Sequence, residues 1–268
     1  MLIDLHVHTS RYSACGNSTP EEMAAAALAH GLDGIVLTEH NVTWPDAELV
    51  ELRAAYPDLA IFGGIELTSD RGDDYLVLGL PHEPWFAPGL PAAEIVDRTR
   101  AQGGVVILAH PYRYKPDLPD SLTLHPVDGV EVASCNMHAS ASEGARRLVA
   151  SLGVFPVWDS DAHHSRNVGL YANRFECAIT DEAELAQALL RRVHHAYADE
   201  RRIRAINKQW DHDLPVIGEM ISSGASDEAI RAAVGTHVGY SDLYAIRAGL
   251  EVRRTLSPVE VCAMPAAR

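Results

Sequence analysis

Short apolar runs alternate with amphipathic stretches along the first 180 or so residues. Leu2–Val7 predicts a buried strand. Thr19-Pro20-Glu21-Glu22 predicts a helix start: Thr19 caps, Pro20 suits the first turn and Glu22 closes a capping box. That helix runs through 24–29 and stops at Gly31. Further strands are predicted at 34–38, 59–67, 75–80, 105–109, 129–133, 155–158 and 174–179. Helices are predicted at 46–56, 92–102, 142–152 and 181–193.

This βαβα rhythm predicts a parallel sheet or barrel with helices outside. Such folds place ligands at the carboxyl ends of their strands. From about residue 200 the strand-like pattern stops. Residues 201–268 read as helices, including 227–234 and 243–256, with a loose tail from 258. The expected organisation is a barrel over 1–200 and a helical extension over 201–268 packed on it.

Composition narrows the function classes. The chain has 268 residues, 47% hydrophobic and 22% charged, in the ordinary globular range. The formal net charge of −15 argues against a nucleic-acid polymer or an anionic membrane as partner. The four cysteines, 15, 135, 177 and 262, form no CxxC pair, which fits reduced thiols. The sequence has no basic, apolar leader and no apolar run long enough to span a bilayer, so a cytoplasmic location is expected.

The chemistry lies in the fourteen histidines, several of which stand beside carboxylates where an apolar run ends. Leu2–Val7 contains His6 and leads to His8. The strand at 34–38 leads to Glu39 and His40, and that at 59–67 contains Glu66. The strand at 105–109 leads to His110, and that at 155–158 to Asp159, Asp161 and His163. In a βα architecture these tips share one rim. His6 and His8, two apart in a strand, project from one face and suit a single metal ion, and Asp161 and His163 repeat the spacing. Glu66 can bridge two ions, the arrangement in which a bridging water becomes hydroxide. Such ligands suit Zn²⁺, Mn²⁺ or Fe²⁺.

In this order, MLIDLHVHTS, LTEHN, GIEL, LAHP and DSDAH resemble the motifs of the PHP (polymerase and histidinol phosphatase) superfamily over roughly residues 1–180. The resemblance implies a distorted (β/α)7 barrel with two or three divalent ions at its C-terminal face. It implies a metal-dependent hydrolase acting on a small-molecule phosphomonoester or phosphodiester. On its pattern His6, His8, Glu66 and Asp161 match one ion. Glu66, His110 and a further histidine, to which His82 is similar, match a second. His40 and His163 match a third, or serve as acids toward the leaving oxygen if that ion is absent.

The chain departs from the pattern at two places. The usual TDH is Thr38-Glu39-His40, so Glu39 is read as orienting a ligand rather than being one. The loop after His8 offers only Cys15 toward a third ion, and a plain loop thiol is the simpler reading. Asp159 is an alternative to Asp161 by spacing alone. Arg113 and Arg11 are candidate phosphate-gripping residues, and Glu131 and Asn136 are candidates for the pocket wall. Two other readings stay open: the same centre attacking a carbonyl, and a non-catalytic metal-binding module.

Overall fold

The computed structural model describes residues 1–80, 87–114, 127–235 and 237–256. Nine strands form one sheet ordered β7-β6-β5-β4-β3-β2-β1-β8-β9, curled into a nearly closed barrel. They are β1 Leu2–Val7, β2 Gly34–Leu37, β3 Ala60–Thr68, β4 Asp74–Leu78, β5 Val105–Leu108, β6 Gly129–Ala133, β7 Phe155–Trp158, β8 Tyr171–Phe175 and β9 His194–Ala198.

The barrel is mixed rather than purely parallel, which corrects the sequence expectation. β1, β2 and β3 are parallel, β4 is antiparallel to both β3 and β5, and β5, β6 and β7 are parallel again. β8 and β9 close the other flank as antiparallel strands. The strand expected at 174–179 lies at Tyr171–Phe175, and β9 was not anticipated, because its histidines and single tyrosine give no apolar alternation. With two reversals around β4, β1, β2, β3, β5, β6 and β7 all point the same way. Their carboxyl ends share one rim, and the first residue of β4 sits there too.

Helices α1 Pro20–Ala29, α2 Asp46–Ala55, α3 Ala92–Ala101, α4 Ala139–Leu152 and α5 Glu182–Leu190 accompany the strands. The predicted capping box on α1 is present, with Thr19 accepting from the Glu22 amide and Glu22 from the Thr19 amide. α4 starts three residues earlier than expected because the His138 ring accepts the Ala141 amide as a cap. Beyond the barrel come α6 Glu200–Ser222, α7 Asp227–Val234 and α8 Tyr240–Arg247. Trp210, Ile217, Ile230, Leu243 and Val252 form an apolar cluster among these last helices. Among the described residues no helix is long and apolar enough to cross a membrane.

Side chains close the seam that the ladders leave open. Asn173 on β8 accepts the Trp158 amide at 3.2 Å and donates to the Trp158 carbonyl at 2.5 Å. His194 on β9 meets the Pro156 carbonyl at 2.9 Å. Asp4 on β1 accepts the amides of Ser160 and Gly169, both at 2.9 Å. Burial pushes the Asp4 carboxyl up to about 6 against these hydrogen bonds. Asn173 is fully buried. Asn173→Ala would strand a backbone N–H and C=O of β7 away from water, so a loss of about 2–4 kcal/mol in unfolding free energy is expected. A urea melt reads it, and an unchanged midpoint would show that the seam does not depend on this side chain.

Candidate metal centre

The rim gathers a dense set of donor atoms. His6 lies within β1 and His8 just beyond it, both fully buried. Their Nε2 atoms stand 2.9 Å apart. Glu66 on β3 places Oε2 at 3.4 Å from His6 Nε2 and 3.2 Å from His8 Nε2. Asp161, beyond β7, places Oδ1 at 3.4 and 3.3 Å from the same two nitrogens. A tetrahedral ion with donors at about 2.0–2.1 Å has donor–donor edges of about 3.3–3.4 Å. The four imidazole–carboxylate distances match those edges, and the two imidazole nitrogens stand closer together.

The tautomers point the same way. His6 Nδ1 faces Glu131 Oε2 at 3.2 Å, and a carboxylate only accepts, so this nitrogen carries the proton. Ser13 Oγ gives its hydrogen to Glu39 and therefore accepts from His8 Nδ1 at 3.3 Å. Both Nε2 lone pairs are then left facing each other and two carboxylate oxygens. Asp161 Oδ1 is buried with no hydrogen-bond partner among the described residues, and Glu66 Oε2, also buried, faces imidazole nitrogens. Two lone pairs and two carboxylate oxygens around one point fit a divalent cation.

In the metal-free chain, protons compensate these charges. Burial opposes ionisation of Glu66 and Asp161, but the neighbouring histidines, His6 foremost, hold both carboxyls well below the usual range. Burial likewise opposes charge on His6, and Asp161 and Glu66 override it, holding the ring well above the usual imidazole range.

Two further groupings adjoin the first. Glu66 Oε1 lies 2.8 Å from His110 Nε2, and Asp74, the first residue of β4, completes a set whose donors all lie within 4.8 Å of one another. His8, His40 and His163 form another such set. His40 Nδ1 also reaches Glu66 Oε2 at 2.7 Å. Burial opposes ionisation of the Cys15 thiol, but the neighbouring His163 and His40 outweigh it and draw the thiol down to about 6.

The supporting groups are specific. Glu39 accepts from the Thr9 amide and hydroxyl, from Ser13 and from the Trp44 indole at 3.1 Å, so its oxygens are engaged in orienting the Ser13 hydroxyl beside His8. Glu131 Oε2 holds the His6 ring and the His110 amide together. Asp159 sits behind His6. Burial and the nearby Glu131 push its carboxyl well above the usual range. Asn136 Nδ2 donates to both the carbonyl and Oδ2 of Asp161 at 2.8 Å, turning Oδ1 toward the histidines. His110 and Asp161 hold positive φ of 27° and 47°, backbone strain concentrated at the candidate ligands.

Arg113 reaches Asp161 Oδ2 at 3.5 Å, and its buried Nε has no hydrogen-bond partner among the described residues. Arg11 is not brought to this cluster: its half-exposed guanidinium pairs with Glu48 of α2 at 3.0 Å. His82 lies outside the described residues. Asp74 carries no motif in the sequence, where the other candidate ligands lie in or after strands. Asp74 stands before one, at the same rim because β4 runs antiparallel.

Comparison with known proteins gives a concordant picture. Residues 4–251 match the PHP domain family. An uncharacterized protein of Methanocaldococcus jannaschii is 27% identical over 143 residues, covering 49% of this chain and 81% of its own. PsfC from Pseudomonas syringae superposes with a TM-score of 0.57 at 19% identity, covering 76% of this chain and 94% of its own. A two-domain Bacteroides vulgatus protein containing a predicted PHP-like metal-dependent phosphoesterase superposes with a TM-score of 0.58 at 18% identity. The match covers 75% of this chain and 65% of that one.

Proposed function

The chain belongs to the PHP domain family, and from that premise we propose that it is a metal-dependent phosphoesterase acting on a small-molecule phosphomonoester or phosphodiester. Under this reading His6, His8, Glu66 and Asp161 hold one divalent ion, and Glu66 shares a second with His110 and Asp74. His40 and His163, beside His8, hold a third or deliver a proton to the leaving oxygen. Zn²⁺, Mn²⁺ and Fe²⁺ all suit the mixed imidazole and carboxylate donors. Such ions, when bound, lower the pKa of water and neutralise phosphoryl oxygens.

The observation that favours a phosphoester over a carbonyl is Arg113. Its guanidinium stands beside a candidate ligand with an unsatisfied buried donor, the planar fork that grips a phosphoryl group. Glu131 and Ser13 hold the His6 and His8 imidazoles in the tautomers that leave Nε2 free. Asn136 fixes the Asp161 carboxylate. Arg113→Ala should raise KM for a phosphoester about tenfold to a hundredfold, the value of one or two charge-assisted hydrogen bonds.

The test is phosphate release by protein reconstituted with Mn²⁺, Zn²⁺ or Fe²⁺ against nucleotide, sugar and amino-alcohol phosphates and a model diester. Release abolished by EDTA supports the reading. Silence with the ions demonstrably bound, and no competitive inhibition of ester or amide hydrolysis by inorganic phosphate, would move the chemistry to a carbonyl substrate. Metal content near zero after reconstitution would leave a non-catalytic module.

A further inference from the structure

We propose that the C-terminal helix α8 supplies an aromatic wall to this site, and that the substrate is a phosphoester whose leaving group carries an aromatic ring. The inference rests on the phosphoester reading above and adds the substrate class.

The exposed large aromatic side chains among the described residues are Tyr114, Tyr240 and Tyr244. They are 46%, 46% and 38% exposed, high for rings that a folded chain normally covers. Tyr114 follows Arg113 directly, and the Arg113 guanidinium lies 5.0 Å from the centre of its ring. Tyr244, one helical turn from Tyr240 on α8, meets Tyr114 edge to face at 6.2 Å. A single arginine side chain therefore spans from the candidate ligand Asp161 to the aromatic pair. A phosphoryl group gripped by Arg113 would direct its organic part along the same side chain, toward the two tyrosines. An apolar pair beside an anion-binding fork suits a ligand with a charged head and a planar apolar body.

The wall is fixed to the centre rather than resting on it. Asp242, within the same helix turn as Tyr244, is buried and pairs with Arg254 at 2.7 Å. Arg254, buried as well, donates through Nε to the Cys135 carbonyl at 2.7 Å. The next residue, Asn136, is the one that holds Asp161. Tyr171 adds a hydrogen bond to the Thr255 carbonyl at 2.7 Å. Two buried charges and a barrel loop thus set the height of α8 over the rim. Fixed aromatics cost a ligand little ordering entropy.

The experiment compares 2-phenylethyl, 2-cyclohexylethyl and ethyl phosphates with the metal-loaded protein. The leaving alcohols are chemically similar, so differences report contacts with the organic part. The cyclohexyl ester matches the phenyl ester in size and lacks its π face. The expected result is about a tenfold higher kcat/KM for the phenyl than for the cyclohexyl ester, expressed in KM. Tyr244→Ala and, independently, Tyr114→Ala should shrink the phenyl-to-ethyl ratio about tenfold, while Tyr244→Phe retains it. Equal turnover of phenyl and cyclohexyl esters, or a ratio insensitive to both alanine variants, would overturn the wall and leave the phosphoester reading intact. No release from any of the three, with the ions bound, would overturn that reading and this inference with it.

Discussion

Replacing Asp161 with asparagine is expected to lower phosphoester turnover at least about a thousandfold, or about 4 kcal/mol of transition-state stabilisation. The same change should remove one divalent ion per chain. Asp161 Oδ1 is a buried oxygen whose neighbours are two imidazole nitrogens at 3.4 and 3.3 Å, and it has no hydrogen-bond partner among the described residues. An amide keeps the shape but loses the charge that draws a cation between them. His8→Ala removes another of the four donors and should have the same two consequences. Neither change empties the apolar core, so the circular dichroism of the metal-free protein should stay close to that of the parent. Metal analysis and phosphate release measured on the same samples decide the matter. Full metal content with full activity in both variants would remove these residues from the centre.

Chelation should have the second large effect, and its pH dependence has a definite sign. Each ion held at a hundred times its dissociation constant adds about 2.7 kcal/mol to stability. At about 2–4 °C per kcal/mol for a chain of this size, the melting temperature should drop by about 5–10 °C per ion removed. Without ions, protons take their place. Burial disfavours charge on His40, but its contacts with Cys15 and Glu66 outweigh that and raise the ring to about 10. His110 and His163 are raised as well. A folded-state value above the unfolded one of about 6.5 means that protonation stabilises the fold. For His110 and His163 that contribution is complete below about pH 6.5 and is lost as the pH rises through their raised values, whereas the Cys15 thiol, drawn down to about 6, has already given up a proton and offsets the one that His40 keeps. Glu66 and Asp161, held low, contribute with the opposite sign and are lost only in strong acid. Metal binding needs unprotonated imidazoles and strengthens over the same range. The gap in melting temperature between loaded and stripped protein should therefore widen from pH 6.5 to 9. A gap that narrows would mean that the ions do not replace the histidine protons.

Much of this was legible along the chain because it is local. β1, β6 and β7 fall where hydrophobic runs and punctuation place them, and the α1 capping box follows from four consecutive residues. His6 and His8 share a face because a strand has a two-residue period. Asp161 and His163 repeat the same spacing. Glu39 could be assigned an orienting role because the motif's carboxylate was one methylene longer than usual.

What stayed hidden depends on strand direction and on distant partners. Helix starts, strand cores and ligand spacings are set by side chains a few residues apart, so the sequence alone determined the α/β barrel, the candidate donors and the family. Asp74 reaches the rim only because β4 runs backwards, and no local pattern encodes the direction in which a buried strand pairs. Glu131 meets the His6 ring 125 positions away. Arg11 pairs with Glu48 although its place in the first loop resembled a phosphate-binding position. Arg254 ties α8 to the loop that holds Asp161 across 119 positions. Contacts of this range form only when the whole barrel has closed, so the tertiary structure alone decided which candidates meet and which side chains hold them.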